Sequence, residues 1–167
     1  MMARRRTATE AEANALASGI RLRIIRLTYP EALTNKEIAE RLGRDPATTL
    51  HHVRKLVETG FLEPQPARRG NRGAKEIPYR STGVSWHLDH APARQRLGEA
   101  VLEAYLTEVA ETDPAELDQW RLVARVPPER LVALRGRLQE LLDEFGAEPV
   151  HPGAEPTAVY IAMYPSR

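Results

Sequence analysis

The sequence predicts an α+β fold in two functional halves, and three observations predict it. Two short amphipathic stretches, each with its own start and stop signals, are joined by a three-residue turn. A basic, glycine-containing loop follows, flanked by two short strand-like runs. The remainder reads as a long helix and then a strand, a helix and a strand.

The first element, "TATEAEANALASGIRLRIIRLTYPEA", has Leu16, Ile20, Ile24 and Leu27 at three- and four-residue steps, as a helix requires. Ser18 can cap a second helix within it, and Pro30 stops the run. In "LTNKEIAERLG", Thr34 and Glu37 have the spacing of a capping box. Gly43 supplies the left-handed stop, and Ile38, Ala39 and Leu42 form the inner face. Asp45 is then a good N-cap with Pro46 at the first helical position, and the helix it opens runs to about Thr59, where Gly60 ends it. Two capped helices joined by "GRD" read as a helix-turn-helix. "FLEPQ" and "EIPYRST" are strand candidates around "PARRGNRGAK", whose four cations, Arg68, Arg69, Arg72 and Lys75, are offset by no acid. An ordinary solvated hairpin is the bland alternative; a basic hairpin directly behind a helix-turn-helix reads as a wing.

The second capped helix poses a question, because "TTLHHVRKLVETGFLEP" threads two histidines and an Arg-Lys pair through apolar spacing. At about 100° per residue with Thr49 at zero, Val53 falls at roughly 40°, Leu56 at roughly −20° and Val57 at roughly 80°, defining the buried face. Ala47, Thr48, His51, Arg54 and Lys55 point away from it, and His52, on the shoulder, reads as a partly buried packing residue with a contact as the alternative. The adjacent histidines diverge by one helical step, and nothing four residues from His51 can complete a metal pair. A polar outer face is the bland reading of the exposed edge. Combined with the first helix, the turn and the basic loop, it fits the major groove, with small and hydrogen-bonding residues early and cations later. The candidate nucleic-acid contacts are therefore Ala47, Thr48, His51, Arg54 and Lys55 on the helix, with Arg68, Arg69, Arg72 and Lys75 on the wing.

After a junction at "TGVSWHLDHAP", a long helix is predicted over roughly residues 92–111. Its apolar residues Leu97, Val101, Leu102, Tyr105, Leu106 and Val109 cover a face wider than one core contact requires, which marks it as a dimerisation element. "DQWRLVARV" alternates as a strand with Trp120, Leu122, Ala124 and Val126 on one side. "PPERLVALRGRLQELLDEFG" is an amphipathic helix striped by Leu131, Leu134, Leu138, Leu141, Leu142 and Phe145, and "TAVYIAMY" is a last strand. This β-α-β module allows either parallel or antiparallel strands, since the loop from Gly146 to Pro156 is long. It would add to the dimer or hold a small-molecule effector, with Tyr105, Trp120, Tyr160 and Tyr164 as candidate lining; each also reads as ordinary core.

Composition narrows the function classes. The 167 residues are 42% hydrophobic and 28% charged, ordinary for a globular protein. No uncharged apolar run approaches the roughly 18 residues of a membrane span, and no apolar stretch follows the N-terminal arginines as a secretory signal requires, so a cytoplasmic location is expected. Cysteine is absent, which excludes disulfides and thiolate chemistry. The net charge of +1 conceals segregation: residues 1–80 hold 16 Lys and Arg against 9 Asp and Glu, while residues 81–167 hold 8 against 14. The first half is suited to a polyanion. Arg4, Arg5 and Arg6 form either a basic arm or a solubilising tail. Motifs of serine hydrolases, phosphate-cradling loops and zinc peptidases are missing, so neither an enzyme nor a bound cofactor is expected. In "WHLDH", His87, Asp89 and His90 form the densest set of metal-ligand types, a weak signal beside a polar linker that caps the next helix.

Residues 12–82, through "LASGIRLRIIRL", "LTNKEIAERLGRDPATTLHHVRKLVETGFLEP" and "YR", resemble the ArsR-type winged helix-turn-helix repressors of bacteria. Arg21 or Arg23, Ile24, His51, His52, Val53, Leu56, Gly60, Phe61 and Leu62 stand at positions comparable with that family's pattern, while Leu50 replaces its small polar residue before the histidines. The resemblance implies a homodimeric transcriptional regulator with one recognition helix per operator half-site on double-stranded DNA, and repression relieved by an effector. The founding members sense metals through cysteines, which this chain lacks. The expected organisation is residues 1–84 as a winged DNA-binding domain with a basic N-terminal arm, and residues 85–167 as a dimerisation and effector-binding region. The alternative is a winged-helix module for protein or RNA.

Overall fold

Thr9 opens the first helix of the computed structural model, which describes residues 6–70, 73–89, 94–149, 151 and 153–166. Its hydroxyl accepts from the Glu12 N–H at 3.2 Å, and the Glu12 carboxylate accepts from the Thr9 N–H at 2.8 Å. This capping box, the same T-x-x-E spacing as at Thr34, starts α1 (Glu10–Leu16). The predicted helical run breaks at Ser18, giving a separate α2 (Gly19–Leu27). A two-residue strand β1 (Arg6–Thr7) precedes α1.

The helix-turn-helix forms from the caps read in the sequence. Thr34 and Glu37 make their reciprocal bonds and start α3 (Asn35–Arg41). Gly43 turns the chain at φ 60°, and Asp45 accepts from the N–H groups of Ala47 and Thr48 at 2.9 and 3.0 Å, opening α4 (Pro46–Glu58). The Asn35 amide donates to the Pro46 carbonyl at 2.8 Å, tying the two helices across the turn. Gly60, at φ 75°, ends α4 and delivers the chain to β3 (Leu62–Pro64).

β3 pairs antiparallel with β6 (Pro78–Ser81), as expected, and β6 also pairs with β2 (Leu33–Thr34), giving the order β2-β6-β3. The two-residue β2 is too short to show an alternation, so the sequence does not announce it. Between β3 and β6, β4 (Arg68–Arg69) and β5 (Lys75–Glu76) form the tip hairpin. A 3-10 turn at Val84–His87 leads to β7 (Leu88–Asp89), which pairs in parallel with β1.

Leu16, Ile24, Ile38, Val53, Leu56, Phe61 and Leu62 are buried together where α1–α4 meet the sheet. The buried hydroxyls of Thr28 and Thr49 are satisfied by the carbonyls of Ile24 and Asp45, at 2.8 and 2.9 Å. The long helix α5 (Arg94–Ala110) packs on α2 through buried Ala100 and Ala104. Glu111 pairs with Arg23, Glu108 pairs with Arg26, and Glu103 accepts from the Gly19 N–H at 3.3 Å. The approach at Gly19 is close: a Cβ there would stand 2.8 Å from the Glu103 carboxylate. Leu102 and Leu106 remain exposed on α5.

The chain divides into two compact units, Met1–Asp113 and Pro114–Arg167. The division lies beyond the 84/85 boundary drawn from the sequence, because small residues and acids on α5 bind it to α1 and α2. In the second unit, a 3-10 turn at Pro114–Glu116 precedes α6 (Pro128–Gly146), which has the predicted extent. The predicted β-α-β ladder is not formed. Residues 119–126 and 157–164 belong to no sheet, and no residue of the second unit is buried, among the described residues. Alternation in those segments provides a face for pairing, but the partner strand is not supplied here. No helix among the described residues is long and apolar enough to cross a membrane.

Candidate nucleic-acid interface

The N-cap of α4 fixes which of its side chains face outward. Thr49, Val53 and Leu56 are buried, whereas Ala47, Thr48, His51 and Arg54 are exposed along one edge. Lys55 is the partial exception: it is half-buried and its ammonium leans toward Glu58 at 3.7 Å. Arg54 makes no ion pair among the described residues and borders a shallow, mainly apolar cleft with Val57, Glu58, Pro64, Ile77 and Tyr79. The edge thus presents a methyl, a hydroxyl, an imidazole and a guanidinium, two of them strong donors to base edges or phosphate.

The two histidines part as the helical wheel requires. His51 is exposed, and His52 is half-buried with its ring 5.8 Å from that of His51, centroid to centroid. His52 Nδ1 is buried and has no hydrogen-bond partner among the described residues. Burial, followed by the nearby charges of Arg21, His51 and Arg44, lowers its pKa below the usual histidine value. The surroundings of His52 thus favour the neutral imidazole over the charged one.

The wing places three of its four predicted cations in view; Arg72 lies outside the described residues. Arg68 is held by Glu37 of α3 at 2.5 Å and faces Glu76 at 3.9 Å, so its charge is engaged within the protein. Arg69 and Lys75 are exposed and directly opposed across the hairpin, with no ion pair among the described residues. Like charges in register destabilise a hairpin. An anion lying between them would remove that repulsion. Arg44, exposed in the turn between α3 and α4, is a further cation next to the N-cap of α4, beyond those predicted from the sequence. Its sequence signal is the cation within the "GRD" turn.

Other candidate sites are not assembled in the same way. Arg6 is not a free arm: it lies in β1 and pairs with Glu12, while Arg4 and Arg5 are outside the described residues. That pairing, with the capping bonds from Thr9, holds Glu12 well below the usual carboxylate range, at about 2. His87 and Asp89 are exposed, and His90 lies outside the described residues; no metal-binding group of three ligand residues occurs among the described ones. Of the four aromatics considered for an effector pocket, Tyr105 sits half-buried on α5 in the first unit, and Trp120, Tyr160 and Tyr164 belong to the second. Trp120 and Tyr164 are exposed because no second layer covers their segments.

Residues 16–65 match the model of a family described as a helix-turn-helix domain. Among solved structures, the chain is similar to reduced HlyU from Vibrio cholerae, at 19% identity over 57% of this chain and 84% of that one, with a TM-score of 0.37. It is also similar to apo ZitR of Lactococcus lactis carrying the C30AH42A changes, at 19% identity over 77% and 83% of the two chains, TM-score 0.36. A third likeness is to the adhesin competence repressor AdcR from Streptococcus pyogenes, at 14% identity over 75% and 78%, TM-score 0.35. No curated protein matches the chain. The matched residues span the caps, the turn and the outward edge of α4 described above. Residues 16–65, with the hairpin strands behind them, form a winged helix-turn-helix domain.

Proposed function

We propose that the protein is a sequence-specific transcriptional regulator of the ArsR type that binds double-stranded DNA as a homodimer and acts as a repressor. The observation that carries this reading is the outward edge of α4, where Ala47, Thr48, His51 and Arg54 are exposed while the opposite residues are buried. Support comes from the exposed Arg69–Lys75 pair, a repulsive arrangement that phosphate relieves, and from Arg44 on the turn. Ala47 and Thr48 lie at the end of α4 that would enter the major groove, with Arg54 reaching a base or phosphate one to two turns later. Lys55 would exchange its contact with Glu58 for phosphate. Leu102 and Leu106 on α5 are the apolar residues left for a second copy. A small-molecule effector would act by changing how the two recognition helices are spaced.

The test is a titration of the purified protein with the duplex upstream of its own gene. Raising salt from about 50 to about 200 mM should weaken binding on the order of 10³-fold or more, since several phosphates per dimer are neutralised. A scrambled duplex should bind far more weakly than the upstream one. Equal affinity for both, or preference for RNA, would leave the alternative interaction module as the better description.

A further inference from the structure

We infer that residues 114–167 fold against a second copy of this chain, with residues 119–126 of each copy pairing with residues 157–164 of the other beneath the α6 helices. The inference concerns the second unit alone and does not rest on DNA binding. α6 runs for 19 residues with no buried side chain, and Leu134, Leu141 and Phe145 are exposed on it. Trp120 and Leu122 are 88% and 84% exposed, and Val159, Ile161, Met163 and Tyr164 are exposed on the other segment. Among the described residues, no backbone hydrogen bond ties residues 119–126 to any other segment. The unit spans only residues 114–167, a size at which a lone domain buries a small share of its surface and is marginal by itself. Disulfides are unavailable to a chain with no cysteine.

Area points to the occupant, and charge to the strand it would offer. Antiparallel self-pairing of residues 119–126 in the register centred on Val123 would set Arg121 opposite Arg125, a destabilising like-charge pair that other registers avoid. Residues 157–164, "TAVYIAMY", carry no charge and are apolar on both faces, so they accept the arginine-bearing strand without repulsion. A large aromatic side chain contributes about 150–250 Å² on burial, so Trp120, Phe145 and Tyr164 together offer on the order of 400 Å². The exposed leucines, valines, isoleucine and methionine raise this toward the roughly 800 Å² per partner that a stable interface buries. Two copies give four strands under two helices, enough for a covered sheet.

The absence of cysteine makes the pairing directly readable. Copies carrying Val123→Cys and one affinity tag are co-expressed with copies carrying a cysteine at one position from 158 to 162 and a second tag, then oxidised. The expected result is a covalent dimer of unlike copies, strongest at alternate positions as β pairing requires. Cross-links at none of the five positions overturn the inference. So does a doubly substituted chain that closes its disulfide only within itself, because that places the pairing inside one copy. Hydrogen exchange on the unaltered full-length protein provides a readout free of substitutions. Amides of residues 119–126 should become protected as protein concentration rises; exchange at the unprotected rate at every concentration, or protection independent of concentration, also overturns it.

Discussion

Arg54 and His52 lie two positions apart on α4 and face different media. Arg54 is exposed and bears no part of the core, so its replacement tests recognition without disturbing the fold. Arg54→Ala should weaken binding to the specific duplex by about 1–3 kcal/mol, read from titrations at fixed salt, while the melting temperature stays within a degree or two. His52 behaves in the opposite way. Its pKa is lowered mainly by burial, so below the ordinary value of 6.5 the unfolded chain binds a proton that the folded chain resists. Stability should therefore fall as pH drops through that range, and His52→Gln should flatten the dependence in a series of thermal melts between about pH 7 and 5. Glu12 has its own window. Held at about 2 by Arg6, against an ordinary 4.5, its carboxylate stabilises the fold above the higher value and ceases to do so as pH falls toward the lower one. Glu12→Gln should lose stability near neutrality and show a smaller decline than the parent between those two pH values.

At the scale of elements, the wing divides its cations by task. Arg68 bridges to α3 through Glu37 and fixes the hairpin to the body, whereas Arg69 and Lys75 are left facing outward in register. Arg69→Ala should weaken specific and scrambled duplexes alike and reduce the slope of log K against log salt by about 1, the signature of one lost phosphate contact. Unequal losses on the two duplexes would instead show that Arg69 reads sequence. How far such elements are legible in the sequence depends on the range of the interaction that makes them. The caps at Thr34 and Asp45 and the stops at Gly43 and Gly60 involve residues within four positions, and the helices they bound appear as read. The α4 edge was legible for the same reason, since one helical period decides which side chains oppose Val53 and Leu56. β1, β2 and β7 were not, being two-residue strands created by tertiary pairing. Nor was the ion pairing of Arg6 or of Arg68, each of which needs a carboxylate that only the local fold or another element supplies. In residues 119–126 the alternation is real, but period two defines a face without naming what lies beside it.

At the scale of the whole molecule, the decisive quantity is the number of recognition helices per particle. Under the proposed function one winged domain would contact one half-site, and the few donors on the α4 edge would discriminate only modestly by themselves. A two-fold dimer duplicates that edge and demands two half-sites in a fixed geometric phase. Recognition helices related by a dyad meet the same face of the duplex when the half-site centres are one turn apart, about 10–10.5 base pairs, or a multiple of it. Inserting about 5 base pairs between the half-sites rotates one of them to the opposite face, so affinity should collapse toward that for unrelated DNA. Inserting about 10 restores the face, and binding should recover in part, limited by how far the dimer can span. Footprints on the parent, +5 and +10 duplexes measure this directly. Protection that survives the five-pair insertion unchanged would mean that each winged domain binds alone, and the rigid two-fold regulator would then have to give way to independent recognition units on flexible connections.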